Sequence, residues 1–171
     1  MSLAFHNVTS RLKVRLPATS LAVTLLLATV GMSTFAGCEV DMQVSVDGKV
    51  PPTFTMQGSG YLVFFIVSEI SPENQKLAPG QRDSSKDRVI WNIRPTETSY
   101  ENLRIRNLPS IKYGEVPPGF TQKEPAQGNP PALVEGKVYE AGGPNTGANG
   151  GFVWFVIRNG KSEEIEQPDG Y

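Results

Sequence analysis

Few side chains in this sequence have the chemistry for nucleophilic catalysis or metal binding, and they lie near its N-terminus. The 171 residues contain one cysteine, Cys38, and one histidine, His6. A thiolate is a nucleophile, a metal ligand and a site of covalent modification. Because Cys38 is the only cysteine, it cannot form a disulfide within the chain. The carboxylates are the remaining groups that are numerous enough for acid–base chemistry, and several crowd the C-terminal region: Glu163, Glu164 and Glu166.

The residues before Cys38 indicate the chemistry of its sulfur. An apolar stretch over residues 21–30 follows three basic residues and precedes a short run that ends at the cysteine: Arg11, Lys13 and Arg15, then Thr34-Phe35-Ala36-Gly37-Cys38. This order resembles the signal sequence and lipobox of a bacterial lipoprotein, with phenylalanine where leucine is usual. The resemblance implies a signal peptide over residues 1–37, cleavage before Cys38, a diacylglycerol on its sulfur and an N-acyl chain such as palmitate on the new amino terminus.

Two other interpretations of this segment stay open. Cleavage after Ala36 would also give a signal peptidase the small residues it needs, and it would release a secreted domain with a free thiol. An uncleaved membrane anchor is the second alternative. The run Leu16–Val30 has about fifteen residues and contains Pro17, whereas a membrane-spanning helix needs about 20 apolar residues. The sequence before Cys38 has no twin-arginine pair, so we expect export by the general secretory route, followed by lipidation of Cys38.

Lipidation would set the location and the first partner of the protein. The expected location is the cell envelope, where the lipid chains anchor the protein to a membrane. Glu39 follows the cysteine, and in well-studied Gram-negative bacteria an aspartate there favours retention in the inner membrane. The outer membrane, facing the periplasm or the cell surface, is therefore expected if the cell is Gram-negative. An envelope protein or a glycan is the expected further partner, and no cofactor beyond the covalent lipid is expected.

Composition narrows the function classes of the mature chain. Removing residues 1–37 leaves 13 basic and 17 acidic side chains, a formal charge of −4. Nucleic-acid binding is disfavoured, because it needs a basic surface to neutralise phosphates. The only histidine leaves with the signal peptide, and the only cysteine is acylated. Catalysis by Ser-His-Asp or Cys-His groups and zinc sites of the Cys/His kind are therefore excluded, and we expect neither a metal site nor an enzyme.

Alternation of apolar and polar residues predicts an all-β fold. Residues 40–46 alternate, and further strands are predicted over residues 53–57, 61–70, 89–93, 103–105, 133–140, 152–158 and 162–166. No stretch of ten residues in the mature chain has a convincing helical period. Short strands separated by Pro/Gly turns favour a single antiparallel β-sandwich over residues 38–171, with long Pro/Gly-rich loops.

One local pattern makes this prediction more specific. Leu133, Gly136 and Tyr139 follow a Leu-x-x-Gly-x-x-Tyr pattern. It resembles the tyrosine corner of fibronectin type III and other Ig-like domains, in which the tyrosine hydroxyl bonds a nearby backbone group. The resemblance implies that Leu133 and Tyr139 pack in the core, and Trp91 and Trp154 are further predicted core residues. The mature chain also resembles uncharacterised bacterial lipoproteins.

Three long segments are predicted to be loops. Residues 71–87 are expected to be exposed, and the glycine-rich residues 142–151 to be mobile. Residues 107–131 carry six prolines together with Tyr113 and Phe120. These two aromatic residues are a candidate binding surface beside a stiff, proline-rich segment. The alternative is that both pack onto the domain and cover an edge strand.

Taken together, these features predict a lipid-anchored protein of the cell envelope that acts as a binding or structural accessory module. The alternative function is a carboxylate-dependent hydrolase of envelope polysaccharide, which would need two acidic side chains on either side of the scissile bond. A deep cleft with two facing carboxylates would favour the enzyme. A flat or aromatic-lined surface would favour the binding module.

Overall fold

The computed structural model describes residues 40–96 and 103–167 of the chain. The predicted signal peptide over residues 1–37 and the predicted lipidation site Cys38 lie outside the described residues. The described residues belong to one compact unit, which begins at Glu39. Most of its regular backbone is in short strands.

The described residues form eleven strands: β1 (Gln43–Val46), β2 (Thr53–Gln57), β3 (Tyr61–Leu62), β4 (Phe65–Glu69), β5 (Arg88–Pro95), β6 (Ile111–Lys112), β7 (Phe120–Glu124), β8 (Val138–Gly143), β9 (Asn145–Thr146), β10 (Gly151–Arg158) and β11 (Lys161–Ile165). Helical structure among them is limited to 3-10 turns of three residues, at Asn74–Lys76, Pro79–Gln81, Ser84–Lys86 and Ile105–Asn107. The strand pairings are antiparallel. The prediction of an all-β, antiparallel fold is therefore confirmed.

The strands form two main sheets and one small ribbon. The order in the six-stranded sheet is β11-β10-β8-β4-β5-β7, and the order in the three-stranded sheet is β1-β2-β6. Strands β3 and β9 pair with one another in the ribbon. Because β8 lies between β10 and β4, it brings distant parts of the chain together. Tyr139 is opposite Phe155 on one side and Glu69 on the other.

The core contains aromatic rings from both main sheets. Phe54 of β2 contacts Phe65 of β4 and Phe155 of β10, with ring centroids 5.3 and 5.6 Å apart. Trp91 and Tyr139 belong to the same cluster and are 0% and 1% exposed. Full burial of a large apolar side chain contributes about 1.5–3 kcal/mol, so this cluster is the main source of stability. Both of these sequence-predicted residues lie in the core.

Trp154 is buried, as predicted, but it lies outside the cluster that contains Trp91 and Tyr139. Side chains alternate across a strand, so Trp154 and its neighbour Phe155 lie on opposite faces of β10. Phe155 belongs to the core cluster, and Trp154 packs outside it against Arg82, whose guanidinium carbon lies 4.9 Å from the ring centroid. The indole Nε1 donates a 2.7 Å hydrogen bond to Glu140. A second, partly polar layer therefore covers the outer face of the six-stranded sheet.

Two predicted loops contain more structure than their composition indicates. Residues 71–87 include three 3-10 turns, and the buried side chain of Asn74 bonds the backbone nitrogen and oxygen of Asp83 at 3.2 and 2.8 Å. Residues 142–151 extend β8, form β9 and begin β10. A Cβ atom on Gly151 would lie 2.1 Å from the carbonyl oxygen of Met42. Glycine permits this close backbone contact, which explains the composition of the segment better than mobility does.

The secondary structure also differs from the prediction in three other places. Residues 103–105 were expected to form a strand, but the chain makes a 3-10 turn there, with an isolated bridge between Arg104 and Tyr61. Strand β8 begins at Val138 instead of Leu133, because a turn that is closed by a hydrogen bond from Lys137 to Val134 precedes it. The proline-rich segment contains β6 and β7, which pair with β2 and β5.

Candidate functional site

A groove of about 500 Å³ lies where the described chain begins. Its volume is within the range of about 300–1,000 Å³ that is usual for small-molecule sites. Separate segments of the chain line it, with contributions from Val40, Ser59, Tyr61, Arg104, Arg106 and Thr146. This surface is termed the N-terminal groove.

Hydrogen bonds hold the first described residue on the wall of the N-terminal groove. The amide of Val40 donates to Ser59 Oγ at 2.7 Å, and the amide of Ser59 donates to the Val40 carbonyl at 2.9 Å. The Ser59 hydroxyl also donates to that carbonyl, at 3.0 Å. Ser59 lies in the turn between β2 and β3. The chain is therefore held by the fold at residue 40, two positions after Cys38.

The turn before β3 contains glycine because other parts of the chain approach it closely. A Cβ atom on Gly60 would lie 2.2 Å from Asn145 Oδ1, and φ at Gly60 is +86°. Both observations require glycine at this position. The amide of Ile105 donates to the Gly60 carbonyl at 3.0 Å. This hydrogen bond holds the segment that carries Arg104 and Arg106 against the turn.

Two arginines line the N-terminal groove. The guanidinium carbon of Arg104 lies 5.4 Å from the ring centroid of Tyr61, a cation–π contact that orients the side chain. Arg106 is exposed. The described residues that line the groove include no carboxylate. A guanidinium presents five N–H donors in a planar fork that fits carboxylate and phosphate oxygens.

Sequence inspection did not single out Arg104 and Arg106 as site residues. Arg104 is partly buried and Arg106 is exposed. Ile105 is buried in the core cluster, and Leu103 packs against it. The site itself was not visible in the sequence because Tyr61 and the turn beside it lie far away along the chain. The available signal was a pair of arginines two positions apart in a mature chain with an acidic excess.

The candidate binding residues Tyr113 and Phe120 are both buried. Their exposed fractions are 6% and 9%, and both belong to the core cluster. The Tyr113 ring contacts Trp91 edge-on, with centroids 5.5 Å apart, and its hydroxyl donates a 2.8 Å hydrogen bond to the Pro131 carbonyl. The prediction of an exposed aromatic surface at these two residues is therefore wrong. They pack onto the domain, as the alternative proposed.

A second groove of about 410 Å³ runs beside the proline-rich segment. Val50, Pro51 and residues 129–133 contribute to its wall, and Glu115 is the charged residue among the described ones that line it. Prolines stiffen this wall, as the sequence predicted. Tyr113 also lines the groove, but this residue is only 6% exposed, so its ring offers little contact area.

Tyr139 makes the hydrogen bond that defines a tyrosine corner. Its hydroxyl accepts a 2.8 Å hydrogen bond from the amide of Val134, which lies between Leu133 and Gly136 of the sequence pattern. Leu133 is partly buried and packs against the core cluster. Burial raises the pKa of the Tyr139 phenol, and it raises the pKa of the Tyr113 phenol as well. Both phenols therefore remain neutral through the physiological range.

Two carboxylates of the six-stranded sheet lie in ion pairs. Glu140 accepts a 3.0 Å hydrogen bond from Arg82. Glu69 pairs with Lys137, whose hydrogen bond lowers the pKa of this carboxyl, and with Arg88 at 2.6 Å. The described linings of the two grooves do not contain two carboxylates. Residues 40–96 and 103–167 also contain no cluster of three or more His, Cys, Asp or Glu side chains arranged to hold a metal ion.

No protein-family model matches this chain, and neither a curated protein nor a solved structure matches it. In the part of the chain that the structure describes, no helix is both long enough and apolar enough to cross a membrane. The function must therefore be inferred from the sequence before residue 40 and from the geometry of the folded unit.

Proposed function

We propose that this protein is a lipid-anchored module of the cell envelope that binds its ligand in the N-terminal groove. The position of the domain boundary carries the proposal. The compact unit begins at Glu39, directly after the cysteine that the sequence pattern marks for lipidation. Cleavage before Cys38 would then remove residues 1–37 without removing any part of the folded unit.

In this proposal, the mature chain of residues 38–171 is held to a membrane by the lipid on Cys38. A single acyl chain gives only marginal, reversible binding, whereas two or more chains anchor a protein stably. A diacylglycerol with an additional N-acyl chain meets that requirement. The proposed membrane is the outer membrane if the cell is Gram-negative, because Glu39 and not aspartate follows the cysteine.

We further propose that the folded unit is an Ig-like β-sandwich of the fibronectin type III kind. In Ig-like domains, strands G, F and C lie side by side with C′ next to C, and the tyrosine corner stands near the start of strand F. The order β10-β8-β4-β5 agrees with this arrangement, and Tyr139 is the second residue of β8. Strands β1, β2 and β6 would correspond to A, B and E.

Two strands of the six-stranded sheet depart from the Ig-like arrangement. Strand β7 adds to the edge of β5, and β11 adds beyond β10. In chain order, β7 stands between the proposed strands E and F, where the A-to-G scheme has no strand. These additions widen the sheet to six strands and leave the order of its four central strands unchanged.

Metabolic labelling with a fatty acid analogue tests the lipid anchor. The wild-type chain should incorporate the label and Cys38→Ser should not, because the thioether forms on the cysteine sulfur. The intact mass of the wild-type protein should equal that of residues 38–171 plus the lipid groups. Met32→Ser lies outside the lipobox run and is the matched control, so it should be labelled as the wild type is.

Three results would overturn this part of the proposal. Label on Cys38→Ser would show that the lipid is attached elsewhere. A mature chain that begins at Gly37 without added mass would show secretion of a free-thiol domain. A chain that retains residues 1–37 would indicate an uncleaved anchor.

A further inference from the structure

We propose that one end of the folded unit docks on the membrane that anchors the protein, with Val40, Val63 and Phe152 inserted at the level of the lipid headgroups. This inference deepens the proposed function and rests on lipidation of Cys38. All three side chains are exposed, and together they are termed the anchor-end surface. Single exposed apolar residues are common on soluble proteins, so the position of these three relative to the lipid decides what they contact.

Backbone contacts bring the members of the anchor-end surface to the same end of the folded unit. Carbonyl groups in residues 142–151 accept 3.1 Å hydrogen bonds from the amides of Val63 and Met42. The same segment leads directly into Phe152 of β10, and Val40 stands two positions before Met42. The three apolar side chains therefore come from segments that are bonded to one another.

The lipid on Cys38 is attached beside this surface. Val40 is fixed to the fold by its hydrogen bonds with Ser59, and an extended chain spans at most about 3.6 Å per residue. Cys38 therefore lies within about 7 Å of Val40. A diacylglycerol takes the place of a membrane lipid, so the sulfur that carries it lies in the headgroup layer, which is about 5–8 Å thick on each side of a bilayer. The connection is too short to carry Val40 much beyond that layer.

The opposite end of the unit also carries exposed apolar side chains, and it lies too far away to share the same layer. Val50 is in the turn that joins β1 to β2, whereas Val40 precedes β1. Val134 is near the last residues of β10, because the amide of Gly136 donates a 2.9 Å hydrogen bond to the Ile157 carbonyl. Strand β10 has eight residues, which corresponds to about 25 Å at about 3.3 Å per residue. Val50 and Val134 are therefore termed the far end, and they remain in water when the anchor-end surface is docked.

The charged groups near the anchor-end surface suit the headgroup layer better than the hydrocarbon core. The Arg94 guanidinium packs over the ring of Phe64, 5.3 Å from its centroid, and Phe64 is next to Val63. The carboxylate of Asp41 accepts a 3.2 Å hydrogen bond from the Asn149 amide. A charged side chain is costly at the centre of a bilayer, whereas an apolar face can lie about 5–10 Å into the headgroup region. The docking is therefore shallow.

Nitroxide labels on the lipidated protein test this orientation. The thioether blocks the Cys38 sulfur, so a cysteine introduced elsewhere is the one free thiol of the chain. Labels are placed at Val63→Cys and Phe152→Cys, and at the controls Val50→Cys and Val134→Cys. The native side chains have nearly the same exposure, 42% and 47% at the anchor end against 43% and 49% at the far end.

Each labelled protein is reconstituted in vesicles of dioleoyl phosphatidylcholine, which carry no net charge. Power saturation measures the access of the label to oxygen, which concentrates in hydrocarbon, and to a water-soluble nickel chelate. We expect the ratio of oxygen access to nickel access to be severalfold higher at the two anchor-end labels than at the two far-end labels. The same label is present at all four positions, so its own affinity for the bilayer does not produce this difference.

Charged substitutions test whether the anchor-end residues form one surface. In the Phe152→Cys protein, adding Val63→Glu should lower the access ratio at the label towards that of the far end, because a carboxylate opposes burial of the surface to which it belongs. Val50→Glu is the matched control and should leave the ratio at Phe152→Cys unchanged. Circular dichroism and thermal midpoints equal to those of the parent protein would confirm that both variants are folded.

Three outcomes would overturn the inference. Equal ratios at the four labels would show that the unit does not dock by its anchor end. A higher ratio at Val50→Cys or Val134→Cys than at the anchor-end labels would show docking by another face. A ratio at Phe152→Cys that does not respond to Val63→Glu would show that the two residues do not share a docked surface.

Intact mass separates failure of this inference from failure of the lipid anchor. A lipidated protein with equal ratios would overturn this inference alone. If the protein carries no lipid, the anchor fails, and the same four labels are then introduced together with Cys38→Ser and mixed with the same vesicles. A higher ratio at the anchor-end labels would retain the membrane-facing surface without the anchor, and equal ratios would overturn both.

Discussion

The two faces of β10 bury neighbouring aromatic residues by different means. On the inner face, Phe155 stacks on Tyr139 with ring centroids 5.4 Å apart, in a cluster drawn from both main sheets. On the outer face, Trp154 lies under the Arg82 guanidinium and donates a hydrogen bond to Glu140. Their exposed fractions are 0% and 4%. Nearly equal burial therefore results from an apolar core on one side and from a charged loop residue on the other.

This difference separates two sources of stability. On the inner face, the core packs residues from both main sheets, whose strands come from distant parts of the chain. A mutation there should therefore affect the whole fold. The outer face depends on residues 71–87. Asn74 bonds Asp83 within this loop, and Arg82 joins the loop to Glu140 of the sheet. A change there should first release the loop. Mutations on the two faces should therefore differ in size and in extent.

The largest expected effect is on the inner face. Phe155→Ala removes a ring that is 0% exposed and leaves a cavity, and it should lower the free energy of unfolding by about 3–5 kcal/mol. Phe152→Ala is the matched control on the same strand, because that ring is 47% exposed. It should change stability by less than about 1 kcal/mol. Urea denaturation followed by circular dichroism measures both, and similar losses would contradict the assignment of the two faces.

A smaller effect is expected from the ion pair on the outer face. Arg82→Met leaves Glu140 without its cation, and it should cost about 2 kcal/mol, because the two side chains are only 15% and 14% exposed. Adding Glu140→Gln should recover part of this loss. Lys49→Met is the control, since Lys49 is 78% exposed in its pair with Asp47 and should cost less than about 0.5 kcal/mol.

Hydrogen exchange adds a spatial readout to this second experiment. Arg82→Met should accelerate exchange in residues 71–87 more than in β8 and β10, because the loop loses its contact while the sheet pairing remains. Equal acceleration in the loop and in the strands would show that the outer layer is part of the global core. The contrast between the two faces would then fail.

The smallest effect is an alkaline loss of stability on the inner face. Burial raises the pKa of Tyr113, so its neutral form is favoured when folded. Its contribution is complete below the unfolded pKa of about 10 and is lost as the pH rises above it. When the pH rises from 9 to 10.5, a buried tyrosine of this kind should lower the free energy of unfolding by about 0.8 kcal/mol. The free energy of unfolding of Tyr113→Phe should therefore fall by about 0.8 kcal/mol less than that of the wild type over this range. Denaturation at both pH values measures the difference. An identical pH profile would contradict the prediction.

The sequence predicted what is encoded locally. Alternation over a few residues was sufficient for the strand class, because the side chains of a strand point alternately to the two faces. The tyrosine corner was also visible, since the Tyr139 hydroxyl and its partner, the Val134 amide, lie in one short segment. A hydrogen bond between residues that are close in sequence can therefore be recognised from a short sequence pattern.

Features that depend on distant segments were not predictable in the same way. Trp154 has the sequence context of a core residue, and only the approach of Arg82 from another loop shows which layer covers it. Tyr113 and Phe120 lie among prolines, where no periodicity indicates the direction of a side chain. The N-terminal groove joins Val40, Tyr61 and the segment with the two arginines, and its existence follows from the topology of the sheets.

The close backbone contacts of the glycine-rich residues 142–151 limit how the protein can be engineered. A Cβ atom on Gly143 would lie 1.9 Å from the Phe64 carbonyl oxygen, whereas one on Gly128 or Gly136 would have no neighbour within 4 Å. An epitope tag or a fusion partner inserted into residues 142–151 would push apart backbone segments that are in close contact there. The same insertion near Gly128 would extend into solvent. Tolerance to insertion in this chain follows the distance to the next backbone and not the glycine content of the segment.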